Sequence, residues 1–113
     1  MTARLLSKIK VQALVKLANA HGDHATVLKK GDESAGEIIL ITAKNGQNIG
    51  LYTYIMDVNG HHIWQEKFIQ DIDKVNKIED WVLKRKNIDP DIWVIELDIA
   101  DDERLGVLLD SLS

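Results

Sequence analysis

Apolar residues recur along this chain with two different periods, and the switches between them mark out its elements. From about Ser7 to Ala20, Val11, Leu14, Val15 and Ala18 follow the i, i+3, i+4, i+7 spacing of one helix face, while Lys8, Gln12 and Lys16 form a polar stripe. Gly22 stands where a helix end needs left-handed backbone. Ala25 to Lys30 alternates as a strand, with Ala25 and Val27 against Thr26 and Leu28, and 31–36 is a turn-rich connection. Glu37–Ile41 is a short continuous apolar run, the pattern of a strand covered on both faces.

Asn45-Gly46 and Asn59-Gly60 each fall between alternating runs and predict two-residue hairpin turns, where both central residues need positive φ. Ile49, Leu51, Thr53 and Ile55 share one strand face, with Tyr52, Tyr54 and Met56 on the other. Ile63, Trp64 and Phe68 mark the return strand. Asp73 is the expected N-cap of a second helix running to about Lys86, with Val75, Ile78, Trp81 and Val82 inward. Pro90 forbids its continuation. Ile92 to Ile99 reads as a strand, and Asp101, Asp102 and Glu103 suit the positive end of a last helix burying Leu105, Leu108, Leu109 and Leu112. The expectation is one α+β domain over residues 1–113, in the order αββββαβα. Its helices pack on an antiparallel meander sheet held by the two Asn-Gly hairpins.

Composition narrows the function classes. A chain of 113 residues with 45% hydrophobic and 28% charged residues can build one core unaided. It has no Cys, which removes disulfides, thiolate metal sites and thiol nucleophiles. No apolar run reaches the roughly 18 residues of a membrane span, and the amphipathic N-terminus lacks the solid apolar core of an export signal. A cytoplasmic protein without a membrane role is the expectation. Net charge is −4, which argues against nucleic acid as a general partner. The charge is segregated: residues 1–30 carry six basic groups against Asp23, and residues 89–113 carry eight acids against Arg104. The two ends are expected to lie together and balance each other.

Two segments also resemble known motifs. Lys29-Lys30-Gly31-Asp32 with Ala35-Gly36 resembles a basic-basic-Gly-Asp-x-x-Ala-Gly motif, and Asp89-Pro90-Asp91-Ile92-Trp93-Val94-Ile95-Glu96 resembles an Asp-Pro-Asp-apolar-Trp-Val-apolar-Glu motif. In that order and separation they resemble a family of small bacterial proteins, domain of unknown function 1491, over about Lys8 to Asp98. The resemblance implies a small bacterial cytoplasmic protein and carries over no catalytic residue. The family tends to have Arg where this chain has Lys29 and Lys30, and Lys lacks the bidentate fork that grips an oxyanion.

Several residues are candidates for chemistry. The 31–36 loop, with Gly31 and Gly36 at its ends, offers glycines for close backbone approach and charge from Asp32 and from Lys29 and Lys30 just before it. Its plainer reading is a hairpin connection, since it lacks the Gly-Lys-Ser/Thr ending of a P-loop. Glu96 lies in an apolar strand, where a buried carboxylate could act as an acid or base. His21, His24, His61 and His62 have no metal-binding spacing, so neither metal nor cofactor is implied. Lys84-Arg85-Lys86 near Trp81 and Trp93 has the mix of a nucleic-acid surface, but a basic last turn also complements the helix dipole. With no nucleophile–base set, a non-enzymatic interaction domain is the leading reading, binding a protein partner or forming a homo-oligomer through a sheet face or edge. Tyr52, Tyr54 and Trp64 are its expected contact residues. A small enzyme or ligand-binding protein using the 29–36 loop with Asp32 and Glu96 is the alternative.

Overall fold

A computed structural model of the chain describes residues 7–34, 36–44, 47–56, 59, 62–66, 74–99 and 101–111. The elements run α1 (Ser7–Ala20), β1 (His24–Lys29), β2 (Ile38–Lys44), β3 (Gln47–Met56), β4 (His62–Glu66), α2 (Lys74–Ile88), β5 (Trp93–Asp98) and α3 (Asp102–Ser111).

Helix α1 ends as its sequence predicts. Gly22 has φ 81°, the Asp23 N–H donates to the Ala18 carbonyl at 2.9 Å, and the Gly22 N–H donates to Asn19 at 3.2 Å. That pair of bonds is the Schellman arrangement, which satisfies two carbonyls the helix would leave bare. Helix α3 starts on Asp101, whose carboxylate accepts the Glu103 N–H at 2.9 Å and the Arg104 N–H at 3.3 Å. The expected N-cap Asp73 and the turn residues Asn45, Gly46 and Gly60 lie outside the described residues. The strands flanking those turns pair antiparallel, from Lys44↔Gln47 for β2–β3 and from Met56↔His62 for β3–β4.

The sheet is five-stranded, in the order β1-β5-β2-β3-β4. Strands β2, β3 and β4 form the expected meander, but the sheet as a whole is mixed. Strand β5 inserts between β1 and β2, antiparallel to β1 and parallel to β2. The sequence expectation of a wholly antiparallel sheet is corrected here, and burial supplies the reason. Ile92 and Val94 are fully buried on one face, and Trp93, Ile95 and Leu97 are buried on the other, so β5 has to be internal.

Two cores follow from the two faces. Val11, Leu14 and Ala18 of α1 and Leu108 of α3 close over Ile38, Leu40, Trp93, Ile95 and Leu97. On the opposite face, Ile78 and Val82 of α2 close over Ile39, Ile41, Leu51, Ile92 and Val94. Among the described residues, no helix is long and apolar enough to cross a membrane.

Candidate functional site

The two motif segments, some 60 residues apart in sequence, meet at the start of β5 and clasp each other. The Asp32 N–H donates to the Asp91 carbonyl at 2.9 Å, and the Trp93 indole N–H donates back to the Asp32 carbonyl at 2.7 Å. A Cβ on Gly31 would lie 2.3 Å from the Asp91 carbonyl oxygen, and so would a Cβ on Gly36. Backbone crossing backbone therefore suffices to require glycine at both positions. Asp32 and Asp89 accept the N–H groups of Ser34 and Asp91, at 3.1 and 3.0 Å, as local turn caps. The first turn of α1 closes the bundle. The Ser7 hydroxyl donates to the Gly36 carbonyl at 2.7 Å, and the Lys8 N–H donates to the Glu33 carbonyl at 3.0 Å.

Lys29 reaches this junction because the β1–β5 register shifts between Val27 and Lys29, a bulge that re-aims the side chain. Its ammonium donates to the backbone carbonyls of Lys30, Pro90 and Ile92. Lys30 is exposed beside it. Arg85 of α2 pairs with Glu37 at the entry to β2, and the Trp93 N–H donates to the Glu37 carbonyl at 2.8 Å.

The remaining sequence candidates are dispersed. Asp32 lies against Trp93 at the start of β5, whereas Glu96 is three residues along, about 10 Å at strand rise, and faces the opposite side with Val94. The fold does not bring these two carboxylates into one site. Tyr52, Tyr54 and Trp64 share the α1-side face and pack half-buried against that core. Tyr54 and Trp64 are cross-strand partners with ring centroids 4.9 Å apart, Lys10 donates to the Tyr54 hydroxyl at 2.6 Å, and the Tyr52 hydroxyl donates to Glu66 at 2.8 Å. Trp81 and Trp93 pack on opposite faces of the sheet, so Lys84–Lys86 has only Trp81 on its side. The His21 ring lies 2.8 Å from the Leu17 carbonyl through Nδ1, His24 opens β1 opposite Asp98, and His61 lies outside the described residues. No group of three or more His, Asp or Glu that could hold a metal occurs among the described residues.

The segregated charges meet in an unexpected way. Asp23, the one acid of residues 1–30, is buried and takes a two-pronged contact from Arg104, the one base of residues 89–113. Nη2 lies 2.7 Å from Oδ1 and Nε 3.3 Å from Oδ2. The hydrogen bond to Asp23 raises the guanidinium above its ordinary pKa; desolvation opposes this, and attraction to Asp23 and Asp101 adds to it. The pair fastens α3 to the α1–β1 turn.

One surface stands apart from these internal contacts. Strand β1 bonds to β5 on one side, and among the described residues no strand pairs with its other side. Val27 is 42% exposed and Leu28 49% exposed, and residues 25–28 carry no charge.

The family model for a protein of unknown function, DUF1491, matches residues 5–106. The chain belongs to the DUF1491 family. Its fold is similar to the crystal structure of a DUF1491 family protein from Caulobacter crescentus CB15. That match has 28% identity over 87% of this chain and 91% of that one, with a TM-score of 0.76. The solution structure of a protein from A. tumefaciens is similar too, at 25% identity over 95% and 93% of the two chains and a TM-score of 0.76. No curated protein matches. Within this DUF1491 chain, the motifs that carried the resemblance are the two halves of the clasp.

Proposed function

We propose that this DUF1491 chain is a protein-association domain that adds a strand to the outer side of β1, the strand being β1 of a second copy. The observation behind this is the uncharged edge Ala25–Leu28, of which Thr26, Val27 and Leu28 are exposed. Natural edge strands are blunted by charge, Pro, or a covering segment; here the charge of β1 is confined to Lys29 at its end, where the bulge turns the ammonium onto backbone carbonyls, and among the described residues no strand covers 25–28. Antiparallel pairing centred on Thr26 would set Ala25 beside Val27 of the other copy, on the same face. Each exposed valine would then gain an apolar neighbour, and the contact is closed by two-fold symmetry. Tyr52, Tyr54 and Trp64 have their polar atoms or rings engaged with Lys10, Glu66 and each other, which favours the edge over that face.

Light scattering tests this at two protein concentrations. The wild type is expected to reach dimer mass, and Val27→Lys to stay a monomer with an unchanged circular dichroism spectrum, because each lysine would replace the apolar contact with Ala25 of the other copy and lie diagonally across from its like-charged mate. A wild-type monomer throughout, or a variant of the same mass as wild type, would count against the proposal.

A further inference from the structure

The Lys29 ammonium has three N–H donors, and three backbone carbonyls, those of Lys30, Pro90 and Ile92, converge on it. These acceptors come from the stretch after β1 and from the 90–92 loop, and the β-bulge is what swings Lys29 between them. No carboxylate is among these acceptors of the ammonium, and Asp32 and Asp89 accept the backbone N–H groups of Ser34 and Asp91. The oxygens around the ammonium are thus neutral carbonyls, the donor set that replaces the hydration shell of a monovalent cation. Divalent ions prefer carboxylates, and magnesium wants oxygens at about 2.1 Å, closer than the 3.1 and 3.3 Å contacts to Ile92 and Lys30.

We infer that the Lys30, Pro90 and Ile92 carbonyls form a monovalent-cation site, filled in this protein by its own Lys29 side chain. The tethered ammonium does what a bound ammonium or potassium ion would do, holding the 89–92 loop against the end of β1. A compact point charge suits three converging oxygens, whereas the planar fork of Arg does not. The same geometry excludes an anion, because carbonyl dipoles present their negative ends to the site.

The test is Lys29→Ala, which empties the site, melted in ammonium, potassium, sodium and choline chloride at equal ionic strength. The variant is expected to melt below wild type in choline and to recover part of that loss in ammonium and potassium. Wild type is expected to melt alike in all four salts. A variant that shows no difference among the salts would overturn the inference, as would a wild type with the same ordering. Should the variant be unfolded in choline, regain of helical ellipticity on adding ammonium chloride supports the site, and failure to fold in any of the four salts overturns it.

Discussion

Adding one methyl group to Gly36 tests the clasp where its two backbones cross. The new Cβ would lie 2.3 Å from the Asp91 carbonyl oxygen and 3.0 Å from both the Asp32 oxygen and Cδ1 of Trp93. Ordinary contact begins near 3.4 Å, so the Asp91 carbonyl has to retreat by about 1 Å. That carbonyl accepts the Asp32 N–H at 2.9 Å, and a shift of that size takes the bond out of hydrogen-bonding range. The 2.7 Å bond from the Trp93 indole to the Asp32 carbonyl joins the same two segments and is strained with it. Losing these two bonds, of which the indole one is part-buried, costs about 2–4 kcal/mol, since each leaves a polar group short of a partner. For a domain of this size, that lowers the melting midpoint by roughly 8–15 °C.

Gly31→Ala meets three backbone atoms of Asp91 and Ile92 within 2.7 Å and is expected to cost at least as much. Two controls separate crowding from glycine loss in general. Gly106 lies in α3 with nothing near its virtual Cβ, so Gly106→Ala should stabilise by about 0.5–1 kcal/mol. Gly22 also has open space but a φ of 81°, so Gly22→Ala should cost only about 1–2 kcal/mol, from backbone strain. Urea titration followed by circular dichroism reads all four. If Gly36→Ala and Gly31→Ala unfold no more easily than Gly22→Ala, the clasp is not the close backbone crossing described above.

Other substitutions probe neighbouring contacts. Trp93→Phe keeps an aromatic side chain but deletes the donor to Asp32 and part of a buried ring, and should cost about 1–3 kcal/mol in the same titration. Ser7→Ala removes a buried hydroxyl donor to Gly36 and should cost about 1 kcal/mol, visible as faster amide exchange in the first turn of α1. Asp23→Asn or Arg104→Met should speed amide exchange throughout α3, which their ion pair fastens to the α1–β1 turn. The folded pKa of Arg104 is raised, so its contribution is complete below the unfolded value and lost only as pH rises through the folded one. The arginine side of this pair is therefore insensitive to pH anywhere near neutrality, and a loss of α3 protection on going from about pH 6 to pH 9 would contradict that assignment.

Local features were legible in the sequence because their causes are local. Helix α1 runs from Ser7 to Ala20 as its periodicity predicts, since the apolar spacing and the Gly22 stop act within a few residues. The β2–β3–β4 pairing was legible for the same reason. The place of β5 was not. Its alternation of Trp93, Ile95 and Leu97 is compatible with a one-sided strand, and its parallel partner β2 lies some 55 residues away. The sequence signal that could have placed it is the apolar character of Ile92 and Val94 on the second face.

The motif residues were visible as a pattern but not as a contact, because spacing along a chain does not show which carbonyl a lysine will meet. Gly31 and Gly36 read most plainly as a connection whose glycines serve backbone geometry, and the Asp91 backbone that crosses them was not visible in the spacing. Asp23 and Arg104 carried a readable signal, each being the one charge of its sign in an oppositely charged segment. Ser7 carried none, since a serine at a helix start is read as a cap and its hydroxyl here donates to Gly36.

Amide exchange along β1, followed as a function of protein concentration, tests the association proposal most directly, because it reports on the edge itself. Amides within Ala25–Leu28 that point away from β5 are predicted to exchange slowly at high concentration and quickly on dilution, and Val27→Lys is predicted to leave them fast at both. Exchange at these residues that ignores concentration, whether the chain is a monomer or a dimer by mass, would contradict strand addition at β1.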